Sequence, residues 1–269
     1  MRLSKYKELN DEKWLRLKYE GEKLSTAKIA RLIGAKTPNS VRQALLNFGI
    51  NVRSVSDGLT CNRIDDGFKF DWEVINGCLL GDGGLRIWNR ESGKSYPCFC
   101  KKNKYYDHIA WVGSLLFTEP TISEEWSVCN GRRCNCFKIR SLCHKELLPT
   151  YRSWYPEDRG FAKSVPHDLV VTSTVLLHWF LDDGYAGWRV REGKKTKQVR
   201  MIFCSESFTK EDQEMLCEKV NFNFDLSMRV VKYKEGTGWR IKVPQSRVSE
   251  FYKIVGSAPV PSLVYKWRM

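Results

Sequence analysis

The stretch that decides the fold is Leu176-Leu177-His178-Trp179-Phe180-Leu181-Asp182-Asp183-Gly184, read beside Ile75-Asn76-Gly77-Cys78-Leu79-Leu80-Gly81-Asp82-Gly83. Each is an apolar run of helical length that stops on an acid followed by glycine. A single acid–glycine step is ordinary turn chemistry. Two of them, 101 residues apart and each ending an apolar helix, read as one structural unit repeated once.

The text around the two helices repeats as well. After Asp82 come Leu85 to Arg90, the turn Ser92-Gly93-Lys94 and a return over Ser95 to Cys100. After Asp183 come Trp188 to Arg191, the turn Gly193-Lys194-Lys195 and a return over Lys197 to Phe203. Both alternate with period two, the pattern of a β-hairpin. Helical text follows each hairpin, over Lys104 to Phe117 and over Thr209 to Val220. Two further strands come next, Trp126–Val128 with Cys136–Ile139, and Met228–Tyr233 with Trp239–Val243. Closing helices are expected over Leu142–Trp154 and Val248–Ile254. The order is αββαββα, twice, which makes the chain α+β.

Composition narrows the function. The 269 residues hold 45 Lys and Arg against 31 Asp and Glu, a formal charge of +14, with 42% hydrophobic residues. A core can form, and global disorder is excluded. The excess of cations implies a polyanionic partner, because each phosphate neutralised by Lys or Arg releases condensed counterions. The N-terminus has no signal-peptide pattern, and no apolar run approaches the ~18 residues that span a bilayer. The ten cysteines are therefore expected to be reduced, in the cytoplasm of a bacterial or phage-infected cell or in an organellar matrix, and the protein is not expected to be secreted or to contact a membrane. Cys98, Cys100, Cys129, Cys134, Cys136 and Cys143-His144 raise the question of zinc. Strand-like alternation and the lack of any Cys-x-x-Cys pair argue against it.

Half of the charge sits in a fifth of the length: residues 1–55 hold 12 Lys and Arg against 5 acids. Apolar residues recur there at helical spacing over Lys13–Tyr19, Ala27–Ile33 and Val41–Phe48, with stops at Gly34 and Gly49 and caps at Ser25, Thr26 and Thr37-Pro38. Two short helices joined by a glycine turn read as a helix-turn-helix DNA-binding module over 1–55. That reading turns Asn39, Ser40, Arg42 and Gln43 to the major groove and sets Lys36 and Arg53 on phosphate. Residues 56–68 read as a linker, 69–165 as the first half-domain and 166–269 as the second.

On these residues the chain resembles single-chain, two-motif LAGLIDADG homing endonucleases of the intron-encoded subgroup, over residues 69–269. Ile75–Gly83 and Leu176–Gly184 match the nine-residue signature, and Lys104 to His108, Ser205 to Phe208 and Val264-Tyr265-Lys266 are further echoes. The resemblance implies saddle-shaped antiparallel sheets about a pseudo-twofold axis, with the signature helices side by side. It implies that a monomer cuts both strands of a double-stranded DNA target across the minor groove, leaving short 3′ overhangs. Asp82 and Asp183, with the carbonyls of Gly81 and Asp182, would hold two or three Mg²⁺ ions, and Ca²⁺ would support binding without cleavage. Lys138 and Lys266 match the family's lysines near the scissile phosphates, and Glu206 stands where relatives often carry glutamine. Arg86, Trp88 and Arg90 would form one base-reading row, and Arg189, Arg191, Lys197 and Arg200 the other.

The second signature departs from the pattern, with His178 and Asp182 in place of glycine and alanine. Looser or asymmetric helix contact is the expectation, with His178 packed rather than catalytic. An intron maturase or a transcription regulator on the same fold is the alternative; both acids argue for cleavage, since a pure binder needs neither. No intein splicing signature is visible.

Overall fold

Helix formation starts where the capping chemistry places it. In the computed structural model the Asp71 carboxylate accepts the amides of Glu73 and Val74 to open one signature helix, Trp72–Leu80, and the Thr172 hydroxyl accepts the Val175 amide to open the other, Ser173–Asp183. The structure describes residues 4–53, 66–87, 96–129, 132–191, 194–233 and 238–267, with backbone alone at 128–129, 132, 189–191 and 194–197. Two compact units are distinguished, Met1–Asp65 with Ile87–Tyr96, and Asp66–Arg86 with Pro97–Met269.

The N-terminal unit contains α1 (Glu12–Arg16), α2 (Thr26–Leu32) and α3 (Pro38–Asn47). Ser25 caps α2 by accepting the Lys28 amide at 3.1 Å, and Gly34 and Gly49 end α2 and α3 with φ of 69° and 67°. Leu15, Tyr19, Ile29, Val41, Leu45 and Ile50 form its core. Lys36, Asn39, Arg42 and Gln43 are exposed and Ser40 is half-buried. Arg53 departs from its expected place on phosphate. Its guanidinium donates to the carbonyls of Tyr19, Lys23 and Leu24 at 2.9, 3.1 and 2.5 Å and lies 3.9 Å from the Tyr19 ring centroid. The Tyr19 carbonyl lies in the helical turn Leu17–Gly21 and those of Lys23 and Leu24 just beyond it, so Arg53 fastens the unit instead of meeting phosphate. Arg53→Ala is expected to lower the stability of this unit by about 2 kcal/mol, because three charged hydrogen bonds and a ring contact disappear. Urea denaturation followed by amide exchange in residues 12–50 checks it.

The larger unit shows the repeat in its topology. The first half runs α4 (Trp72–Leu80), β1 (Gly84–Arg86), β2 (Cys98–Asn103), α5 (Tyr106–Leu116), β3 (Ser123–Cys129), β4 (Arg132–Cys143) and α6 (Leu147–Trp154). The second runs α7 (Ser173–Asp183), β5 (Gly184–Arg191), β6 (Lys194–Phe203), α8 (Lys210–Phe224), β7 (Arg229–Lys232), β8 (Trp239–Val243) and α9 (Val248–Val255). The sheets have the same antiparallel order, β1-β2-β4-β3 and β5-β6-β8-β7. The second sheet is helix-backed: Trp179 of α7 lies 4.2 Å from Phe203 of β6 between ring centroids, and Phe180 lies 4.9 Å from Phe251 of α9. Leu142 and Cys143 belong to β4, not to the closing helix, since β4 stays paired to Cys98 up to Cys143.

The two signature helices pack along their length, and the contact is not loose. Gly77 in α4 and the cap Gly81 each meet a large residue of α7 that broke the pattern. A Cβ on Gly77 would stand 2.6 Å from the His178 Cβ, and one on Gly81 would collide with Asp182. Small residues on one helix thus receive large ones from the other, and the contact is asymmetric but close. His178 is buried as a packing residue, stacked on Trp111 at 4.9 Å and 13°.

Candidate active site

Both signature acids arrive at one place because both helices end there. Asp183 is the last residue of α7, and Asp82 lies two residues beyond α4, after the cap Gly81. Helix C-termini point unsatisfied carbonyls at the same space and carry negative dipole ends, so acids there need compensation.

Three lysines supply it. Lys163 Nζ donates to the carbonyls of Gly81 at 2.9 Å and Gly83 at 2.8 Å. Lys266 Nζ donates to those of Phe180, Leu181 and Asp182 at 3.0, 2.7 and 3.1 Å. The two stand in matching places, Lys163 81 residues after Asp82 and Lys266 83 residues after Asp183. Lys101 Nζ bonds both carboxylate oxygens of Asp182 at 2.6 and 2.5 Å, and neither side chain has any exposure. Asp182 Oδ2 in turn accepts the Asp82 amide at 3.2 Å.

The electrostatics follow from this crowding. The Asp82 side chain meets solvent on one side, yet burial on the other and the Asp182 carboxylate raise its carboxyl above the ordinary range, against the pull of Lys101, Lys163 and Lys266. Asp183 is pushed up to about 8 by burial, then by Asp182 and Asp82. Burial lowers the Lys163 ammonium and takes that of Lys266 down to about 8. For Lys101 burial acts downward, and the Asp182 carboxylate overcomes it, holding the ammonium charged.

The Asp183 shift has a consequence for stability. Its folded value near 8 lies above the ordinary carboxyl value of 3.8, so it stabilises below pH 4 and that contribution is lost as pH rises through 8. Burial takes His108 and His178 down to about 3, which acts in the opposite sense over part of the window. The difference between variants isolates Asp183. In chelator, the melting temperature of Asp183→Asn is expected to rise relative to wild type between pH 5 and 7.5.

The donors suit a hard cation. Carboxylate and carbonyl oxygens face one another, two carboxyls lack full neutralisation, and each carbonyl bonded to a lysine keeps a second lone pair. Among the described residues no three His, Cys, Asp or Glu side chains form a metal cage.

Comparison with known proteins gives the family. The model of the LAGLIDADG DNA endonuclease family matches residues 72–251, both signature helices included. The chain belongs to the LAGLIDADG DNA endonuclease family. A probable intron-encoded endonuclease of Wickerhamomyces canadensis is 25% identical over 84% of this chain and 94% of its own length. An uncharacterized protein of Methanocaldococcus jannaschii is 27% identical, covering 93% of each chain. The homing endonuclease I-WcaI bound to its DNA recognition sequence has a similar structure, at TM-score 0.56 and 25% identity, covering 72% of this chain and 84% of that one. The expected α+β fold, the family and the endonuclease assignment stand on these likenesses.

The remaining expected LAGLIDADG residues fall as follows. Arg86 on β1 and Arg200 on β6 are exposed. Trp88 and Arg90 lie outside the described residues, as do the side chains of Arg189, Arg191 and Lys197. Glu206 is ion-paired with Arg240, so its added charge is met within the second sheet. Lys138 bonds Glu125 at 3.0 Å across β3 and β4. The place that matches Lys266 belongs to Lys163, which sequence reasoning passed over. Lys101 was passed over too, although Lys101 is in phase with the buried Phe99 on β2, a face reserved for apolar residues. No helix among the described residues is long and apolar enough to cross a membrane.

Proposed function

We propose that the protein is a site-specific, metal-dependent endonuclease that acts as a monomer on double-stranded DNA, hydrolysing one phosphodiester on each strand across the minor groove and leaving short 3′ overhangs. The observation that carries this is the meeting of Asp82 and Asp183 at adjoining helix ends, with a carbonyl-bound lysine at the end of each helix. One centre per strand requires such a pair on one chain.

Asp82 and Asp183 would hold Mg²⁺, two or three ions in all, with the free lone pairs of the Gly81 and Asp182 carbonyls and the phosphates themselves completing the shell. Bound there, the cation supplies Lewis-acid stabilisation of charge on the phosphoryl oxygens and a more acidic water. The chain's own residues do the rest. Lys163 and Lys266 fix the carbonyls and place positive charge beside the position the scissile phosphates take. Asp182 and Lys101 keep the first acid's backbone in place. Arg86 and Arg200, with Trp88, Arg90, Arg189, Arg191 and Lys197, read base edges from the two sheets. The α2–α3 module extends the footprint through Lys36, Asn39, Ser40, Arg42 and Gln43.

Cleavage of a randomised duplex library in Mg²⁺, with recovered ends sequenced, tests the reading. The expected product is a double-strand break at one consensus with short 3′ overhangs, and binding of the same consensus in Ca²⁺ without cleavage. Binding with no break in Mg²⁺ overturns it and leaves a pure binding protein. Removing residues 1–55 is expected to weaken binding and to shallow its salt dependence, since each lost phosphate contact removes about 0.9 from the slope. Titration at three salt concentrations checks this.

A further inference from the structure

Two charged residues at the active site have no counterpart in the other half of the repeat. Asp182 stands where the first half carries Gly81, each preceding its acid. Lys101 stands where the second half carries Phe203: Cys100 pairs with Gly84 two residues after Asp82, Ile202 pairs with Tyr185 two residues after Asp183, and Lys101 and Phe203 follow. The two unmatched residues bond each other, with both side chains wholly buried. A buried lysine on a strand and a buried aspartate on a helix of the other half are each costly alone, so neither is kept without the other.

Both acids feel the charge of Asp182, but its hydrogen bond reaches the backbone of only one of them. Asp182 Oδ2, held by Lys101, accepts the Asp82 amide. The only atom of Gly81 that makes room for this is its missing Cβ, which would collide with Asp182. On the other side of Asp182, His108 Nε2 lies 3.9 Å from Oδ1, and neither ring nitrogen of His108 has a hydrogen-bond partner. Asp183, by contrast, is held from its own half, its carbonyl accepting the Cys204 amide at 2.9 Å.

We propose that Lys101 is a positioning residue: through Asp182 it fixes the backbone of Asp82, so that the first cleavage centre depends on a strut supplied by both halves while the second does not. The inference rests on the endonuclease reading for its rate consequence and on geometry alone for its structural one. The Lys101 side chain is wholly buried and so does not touch DNA; its hydrogen bonds go to Asp182.

The test uses Lys101→Met, Lys101→Arg and the charge-neutral pair Lys101→Met with Asp182→Asn, the last covering the case in which the single Met variant does not fold. Two readouts are taken on the full chain. In metal-free protein, hydrogen exchange of the Asp82 amide is expected to quicken at least tenfold in both Met variants, while that of Cys204 stays unchanged, and Arg is expected to restore protection. On the library-selected duplex labelled at both 5′ ends, the strand whose cutting is lost in Asp82→Asn is expected to slow about 10- to 100-fold, the size seen when a ligand's supporting partner is removed. The other strand is expected to keep its rate, so nicked duplex accumulates. Equal slowing of both strands, or an Asp82 amide that exchanges as in wild type, overturns the proposal. A wild-type protein that cuts no duplex sinks the endonuclease reading, and the amide exchange still decides the strut.

Discussion

Asp82→Asn and Asp183→Asn are each expected to lower cutting of one strand by about a thousand-fold or more and to turn a double-strand break into a nick. The argument begins with charge. Each acid stands at its own helix end, and burial with the neighbouring carboxylates holds its carboxyl above the ordinary range, so a cation there would favour the charged form. A cation bound there contributes several kcal/mol of transition-state stabilisation, and about 1.4 kcal/mol is a factor of ten in rate. Asparagine keeps the shape and the helix end but loses the charge, so binding of the target in Ca²⁺ is expected to fall far less than the rate. The two variants are expected to spare opposite strands, because each acid lies at the end of a different helix. Denaturing electrophoresis of a duplex labelled on both strands reads this directly. Loss of both strands together in each variant would mean a single shared centre, and intact double-strand cutting in both would remove the acids from the chemistry.

What the sequence disclosed and what it hid follow from one physical distinction, between periodic and non-periodic information. The signature helices were legible because apolar residues repeat at helical spacing and stop on an acid. The sheets were legible because alternation with period two survives in Trp239–Val243 and Lys197–Phe203, and β8 begins and ends where its residues say. Lys163 has no such context: Gly160-Phe161-Ala162-Lys163 carries no period, and its only signal was a spacing of 81 residues after Asp82 against 83 for Lys266. Lys138 was matched to the family's lysines by resemblance, yet it stands on β4 and meets Glu125 of β3 rather than a helix end. Asp182 was read as a flaw in helix packing. Its cause was invisible one helix at a time, since Gly81 opposite gives it room and Lys101 gives it charge. Arg53 was misplaced for a similar reason: a cation at the end of a basic module suggests phosphate, but three open carbonyls nearby took it first.

The contrast between Lys163, Lys266 and Lys138 gives the second large effect. Lys163→Met and Lys266→Met are each expected to reduce cleavage about 10²- to 10³-fold, the range for removing one preorganised donor at a site of developing charge. Lys266 illustrates why. Its ammonium is nearly fully buried, spans three carbonyls at the end of α7, and is brought down to about 8 by burial against the pull of Asp182, Asp183 and Asp82. Methionine preserves the buried stem, so the change is chiefly one of charge and of donors, together with the ammonium's approach to the Phe180 ring. Three carbonyls and three carboxylates are then left facing one another without a cation on that side. Lys163→Met leaves the Gly81 and Gly83 carbonyls in the same position beside Asp82. The strand affected should therefore follow the acid served: Lys163→Met with Asp82→Asn, Lys266→Met with Asp183→Asn. Lys138→Met removes an ion pair with a partly exposed Glu125 and is expected to change the rate less than about threefold, since such pairs contribute about 1 kcal/mol or less. Strand-resolved rates under single-turnover conditions, with Ca²⁺ binding and melting measured alongside, separate these outcomes. A large loss in Lys138→Met beside a small one in Lys163→Met would return the first half's catalytic lysine to the sheet.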